Sequence, residues 1–181
     1  DACIADGGCS HRPDDKGWGR AKQPVIYVSY NDITQQFIPW LNKVTREKFS
    51  LPTEAQWEYA ARAGSTTAYS WGSRIGENNA NCETCGSAWD NKSTAPIKSF
   101  SANPWGLYDI HGNVAEWTQD CWNDSYRNAP RNGEARLDGD CDKAVLRGGA
   151  WSSTISELRI SNRINQPKMN RSNAVGFRLV R

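Results

Sequence analysis

Several kinds of side chain are scarce in this chain, and each scarcity excludes something. Histidine occurs twice, as His11 and His111, and methionine once in 181 residues. Two histidines cannot supply a three-histidine iron centre. From Arg147 to Arg181 there is no cysteine, histidine or aspartate. No apolar run is longer than Val25–Val28, against the roughly 20 residues needed to span a membrane. There is no excess of one charge, with 22 basic and 20 acidic residues, so no electrostatic footprint of a nucleic-acid binder is present. Internal repeats, low-complexity tracts and a visible signal peptide are also lacking. The chain opens on Asp1-Ala2-Cys3 without a methionine, as expected of a mature or trimmed product.

Tryptophan and glycine are abundant instead, nine and fifteen copies. Tryptophan brings large buried area and glycine brings turns, which together predict an irregular, loop-rich fold held by aromatic clusters. The length suits one domain over 1–181. Six cysteines fall into the local pairs Cys3/Cys9, Cys82/Cys85 and Cys121/Cys141. Three short-range disulfides fit an exported protein, periplasmic or on the cell surface. The Cys121–Cys141 bridge would close about twenty residues, worth roughly 3 kcal/mol in the chain-entropy model. For Cys82-x-x-Cys85 a zinc site lacks ligands, and a thioredoxin-like pair lacks the helix it should open.

Along the chain, 1–24 reads as loop and Pro24–Ser29 as a short strand. Ile33, Phe37, Trp40, Leu41 and Val44 lie on one face of a helix that Pro39 should kink. Thr53 and Gln56 form a capping box that starts a second helix, stopped by Gly64. Residues 64–105 carry turn signals throughout, and Asn123–Gly139 is a polar loop tied at its base by Cys121 and Cys141. Val145-Leu146 and Phe177–Val180 are the remaining predicted strands. Asp138-x-Asp140-x-Asp142 has calcium-like spacing but lacks the rest of an EF-hand loop, and reads as a solvated turn.

Five ordered motifs carry a family resemblance: Leu51-Pro-Thr-Glu-Ala-Gln-Trp-Glu-Tyr-Ala-Ala-Arg-Ala-Gly64, Thr94-Ala95-Pro96, Asn103 to Trp117 (NPWGLYDIHGNVAEW), Arg147-Gly-Gly-Ala-Trp151 and Gly176-Phe177-Arg178. Together they resemble the formylglycine-generating enzyme (sulfatase-modifying factor) family, without that family's usual N-terminal part. The resemblance implies an α+β fold, an irregular variant of the C-type lectin fold with two main helices and short strands. It also implies structural calcium at Asp109, Gly112, Val114 and Glu116, where two carboxylates flank a glycine turn and hard oxygen ligands suit Ca²⁺. A second calcium position would map to Asn81, Cys82 (carbonyl), Asp90 and Lys92 (carbonyl).

Formylglycine generators hold copper(I) on two cysteines, because soft thiolates select that ion. Aligned on Gly148-Gly149, those positions are Ser153 and Leu158, so no copper and no formylglycine generation are expected. Nor do His111 and Ser152 or Ser153 make a credible catalytic triad. The C-terminal segment 147–179 resembles another branch of the fold, the variable proteins of diversity-generating retroelements. By that resemblance Trp151, Ser152, Ser153, Thr154, Ser156, Glu157, Ile160, Asn162, Ile164, Asn165 and Gln166 form a ligand-binding surface, with Leu158, Arg159 and Arg163 as scaffold. The expected function is non-catalytic binding of an unknown protein or surface ligand by a receptor- or adhesin-like domain, with a lipid anchor conceivable upstream of Asp1. The alternative is an oxidase of the formylglycine-generating or a related type.

Overall fold

The computed structural model describes residues 1–181. Two capping boxes start its longer helices. At the first, the Ser29 hydroxyl accepts from the Asp32 amide and the Asp32 carboxylate accepts from the Ser29 amide. From there α2 (Tyr30–Asp32), a π turn (Ile33–Phe37) and α3 (Ile38–Thr45) run on as one rod. At Pro39, where a kink was expected, the helix changes type instead of ending. The Ile38 amide reaches back five residues to the Ile33 carbonyl, and this wide turn absorbs the ring and the missing donor of the proline. The second box, Thr53 with Gln56, starts α4 (Glu54–Arg62), which turns Glu54, Trp57 and Ala61 inward and ends at Ala63 in the left-handed region. A further single turn, α1 (Ala2–Ala5), lies where only loop was expected, closed by the Cys3–Cys9 disulfide.

Four strands form one sheet in the order β3-β2-β1-β4. β1 (Ala115–Trp122) pairs antiparallel with β2 (Asp140–Arg147), which pairs antiparallel with β3 (Ile164–Pro167). β4 (Val175–Gly176) lies parallel to β1 on the other edge. The β1–β2 register shifts on both sides of Cys121, and irregularities of this kind sharpen the local twist. Cys121–Cys141 closes the 123–139 loop there, and Cys82–Cys85 is also bonded, so all six cysteines pair as expected.

Two predicted strands differ. Pro24–Ser29 is not a strand, because Tyr27 sits in the left-handed region (φ 54°) and breaks the extended run. Ile26 and Val28 are buried all the same, and the Val28 carbonyl accepts from the Trp117 indole. At the C-terminus the strand is Val175–Gly176; beyond it only Val180 bridges, to Ser50. Phe177 packs on Phe37 while Arg178 leaves to pair with Glu116, so the residues after Gly176 do not continue the ladder.

The core has three parts. Trp117 packs with Val28, Leu51, Leu146 and Val175 between the sheet and the first rod. Trp57 packs with Ala61, Ile110 and Ile160 under α4. Tyr69, Leu158 and the Cys82–Cys85 disulfide make the third. No helix is long and apolar enough to cross a membrane.

Candidate functional site

Arg147 ends β2 with its guanidinium fully buried. It donates to Glu54 at 2.5 Å, to Glu58 at 2.5 Å and to the Ile160 carbonyl, over the Trp57 ring. The two glycines that follow are both left-handed. A Cβ on Gly148 would stand 2.9 Å from the Ile110 carbonyl, and one on Gly149 2.8 Å from Leu158. The chain therefore enters its C-terminal segment through a fixed, crowded gate. Arg163 holds the far side: it pairs with Glu54, donates to the Asn123 carbonyl and lies between the Trp122 and Tyr126 rings.

Between these arginines the predicted surface divides into side chains held by the fold and side chains left exposed. Trp151 is held, its indole donating to the Asn173 carbonyl and packed edge-on to Trp18. The Ser153 hydroxyl accepts from the Ala150 amide, and the Ser153 carbonyl accepts from Glu83. Glu157 accepts from both the amide and the hydroxyl of Thr154, closing a short 3-10 turn, Ile155–Leu158. Ile160 is fully buried in the core below α4, so it presents nothing to a ligand, and Ile164 packs against the main core. Ser152, Thr154 and Ser156 are exposed; so is Arg159, read from the sequence as scaffold. Asn162, Asn165 and Gln166 are half-buried, the last two on the edge strand β3, with Gln166 accepting from Asn170. No hydrogen bond joins the 151–157 group to the 162–166 group.

The two positions aligned with copper ligands are not equivalent. Leu158 has no exposed surface, and the Ser153 hydroxyl is already engaged. His111 is held as a structural side chain: Nδ1 lies 2.8 Å from the Leu158 carbonyl and Nε2 accepts from the Ser70 amide at 3.2 Å. Burial lowers its pKa to about 4, and the Leu158 contact only partly opposes that. It is a neutral ring with both nitrogens occupied.

At the first calcium position, Oδ1 of Asp109 is buried without a partner while Oδ2 accepts from the Lys98 amide. Burial raises the Asp109 pKa, the Lys98 amide and Arg178 oppose this, and nearby Glu116 adds to it. The carbonyls of Gly112 and Val114 accept no hydrogen bond. Glu116 is already matched by the Trp57 indole and by both Nε and Nη2 of Arg178. At the second position the Ser87 hydroxyl reaches both Asn81 Oδ1 (3.2 Å) and Asp90 Oδ1 (2.5 Å), so these oxygens face a common point. The Cys82 and Lys92 carbonyls accept no hydrogen bond either.

The profile of the sulfatase-modifying factor enzyme 1-like domain matches residues 4–181. The chain belongs to this family. It is 32% identical to the formylglycine-generating enzyme of Streptomyces coelicolor over 88% of this chain and 53% of that protein, about half its length. Among solved structures, PvdO from Pseudomonas aeruginosa superposes with a TM-score of 0.81 at 32% identity, covering 94% of this chain and 69% of that one. Treponema denticola variable protein 1 superposes with a TM-score of 0.75 at 25% identity, covering 93% and 74%. The mixed α/β domain with its curled four-stranded sheet is thus the family's variant of the C-type lectin fold, and both an enzyme and a variable protein share it.

The Arg147–Glu54–Arg163 network escaped the sequence reading. Its only signal was Glu54 at the first position of α4, which reads equally well as a helix-dipole partner.

Proposed function

We propose that this chain is a non-catalytic binding domain that displays part of its 147–179 segment to a protein or surface ligand, in the manner of a retroelement variable protein. The observation that carries the reading is the state of Ser153 and Leu158: a hydroxyl bonded into a turn and a side chain buried in the core, where copper chemistry needs two thiolates. The display set narrows to Ser152, Thr154, Ser156, Asn162, Asn165 and Gln166, mild side chains suited to adaptable hydrogen bonding. Trp151, Ser153, Glu157 and Ile160 serve the frame. A rigid frame lowers the ordering cost of binding. Three disulfides favour an exported location for such a domain.

Calcium is part of the proposal. Asp109, Glu116 and the carbonyls of Gly112 and Val114 would hold one ion; Asn81, Asp90 and the carbonyls of Cys82 and Lys92 would hold another. The unpartnered oxygens at each position support this. Bound calcium would supply positive charge to these oxygens and fasten the loops carrying them. Calcium should raise Tm and a chelator should lower it, with Asp90→Ala removing part of the shift in calorimetry. Equal Tm in both conditions would refute the calcium assignment.

Randomising Ser152, Ser156, Asn165 and Gln166 in a displayed library should leave most members folded and yield binders to an arbitrary test protein. A template repeat beside a reverse-transcriptase gene in the genomic neighbourhood is expected. Oxygen consumption with a cysteine peptide and added copper would refute the non-catalytic reading.

A further inference from the structure

A groove of about 290 Å³ runs beside Trp71, walled by Ser70, Asn79, Ser101, Asn103 and Pro104. Nothing in its wall is ionisable, and none of it belongs to the 147–179 segment. The Trp71 indole is 39% exposed yet held in place. One face stacks on Tyr69, at 5.4 Å between centroids and 9° between planes, and the His111 ring lies steeply inclined to it at 4.6 Å between centroids. Its N–H donates to the Arg74 and Ile75 carbonyls. A rigid, partly exposed aromatic loses no rotamer freedom when a ligand lands on it. Around it the Ser70 and Ser101 hydroxyls and Oδ1 of Asn79 have no partner within the protein, whereas the Asn79 amide is spent on Ile75 and the Asn103 side chain on Ala60 and Leu107. Past Pro104, Trp105 is 49% exposed and packs edge-on to exposed Tyr59 at 4.9 Å. Trp105 thus follows directly in the chain on Pro104, the last residue of the groove wall.

We infer that this groove binds a neutral carbohydrate chain. The apolar C–H face of a pyranose stacks on an indole while its hydroxyls exchange bonds with uncharged donors and acceptors, which is the set found here. The groove wall itself offers no counter-charge to an ionic ligand; the recess that adjoins it past Ser70 and Trp71 adds Asp109, whose Oδ2 is held by the Lys98 amide, and His111, buried against the Leu158 carbonyl. The volume lies near the lower end for small-molecule sites, enough for one or two rings, with the chain continuing over Pro104 toward Trp105.

The test is titration of the whole chain with cello-, chito-, malto- and xylohexaose at up to millimolar concentration, read by tryptophan fluorescence and by affinity electrophoresis in the matching polysaccharides. At least one should bind. Trp71→Ala should abolish binding, but it also disturbs Tyr69 and His111. Two safer variants are therefore added: Ser101→Arg, which fills the groove from an exposed position, and Trp105→Ala on the rim. Each should weaken binding at least about tenfold with unchanged Tm. Ser156→Tyr should leave it intact, which separates this site from the proposed display surface. No response to any of the four glycans, or binding indifferent to Ser101→Arg and Trp105→Ala, would overturn the inference. So would retention of an aromatic or cationic peptide in place of sugar.

Discussion

Arg147 is one side chain joining three elements, for it meets Glu54 and Glu58 on α4 and the carbonyl ahead of Ser161 from the end of β2. Removing one partner of a buried ion pair leaves the others charged and dry. Arg147→Met is expected to cost about 3–5 kcal/mol in urea unfolding. Adding Glu54→Gln should deepen the loss rather than relieve it, because Glu54 is also the partner of Arg163, whose charge would then be left unmatched. From the sequence Arg147 is legible only as the first letter of a motif; its burial depends on acidic residues some ninety positions earlier. Asp32 makes a second residue-scale case. Burial works to raise its pKa, but the hydrogen bonds from Arg171 and Ser29 outweigh it and hold the carboxyl at about 2. A depressed folded-state pKa stabilises above the unfolded value near 3.8 and is lost as pH falls through about 2. Because Arg171 is 41% exposed and solvent screens the pair, the contribution should stay below about 1 kcal/mol. Acid titration of Asp32→Ala should show a correspondingly shallower loss of stability between those pH values.

Among the elements, α4 was the most legible, since a capping box is a local signal and nothing tertiary contradicts it. Thr53→Ala should lower stability by about 1–2 kcal/mol, measured by thermal or urea unfolding. Its hydroxyl also donates to the Gly133 carbonyl, so faster amide exchange in the 123–139 loop should accompany the loss. Glu157→Ala tests the frame role of a residue first read as display: removing that cap should cost about 1 kcal/mol, where Ser156→Ala costs nothing measurable. β1 was hidden because six of its eight residues are buried, which removes the alternation that marks a half-exposed strand. β3 was hidden for the opposite reason. Ile-Asn-Gln-Pro has weak strand propensity and pairs only because β2 offers it an edge. Tyr27 shows a third limit, since a single left-handed residue inside Val-Ile-Tyr-Val defeats an apolar run that otherwise reads as strand.

At the scale of the whole molecule, the family and its fold were legible because five motifs occur in order, while the division of 151–166 into held and exposed side chains was not. That division depends on what lies opposite each residue: Glu83 for Ser153, and α4 and Ile110 for Ile160. The sheet order β3-β2-β1-β4 has one more consequence. β3 and β4 are the last two strands made, yet they occupy opposite edges, so the seven residues between them must cross from one side of the sheet to the other. During synthesis the central β1–β2 pair can form early, with both of its edges open to pairing with other chains. The β2 edge closes once β3 is in place, whereas the β1 edge stays open until Val175–Gly176 has been made. A chain interrupted before Val175 would therefore leave the 147–174 segment tethered at one end and β1 exposed, a fragment prone to aggregate. Truncation before Val175 should accordingly be far more damaging than any single exchange on the proposed display surface.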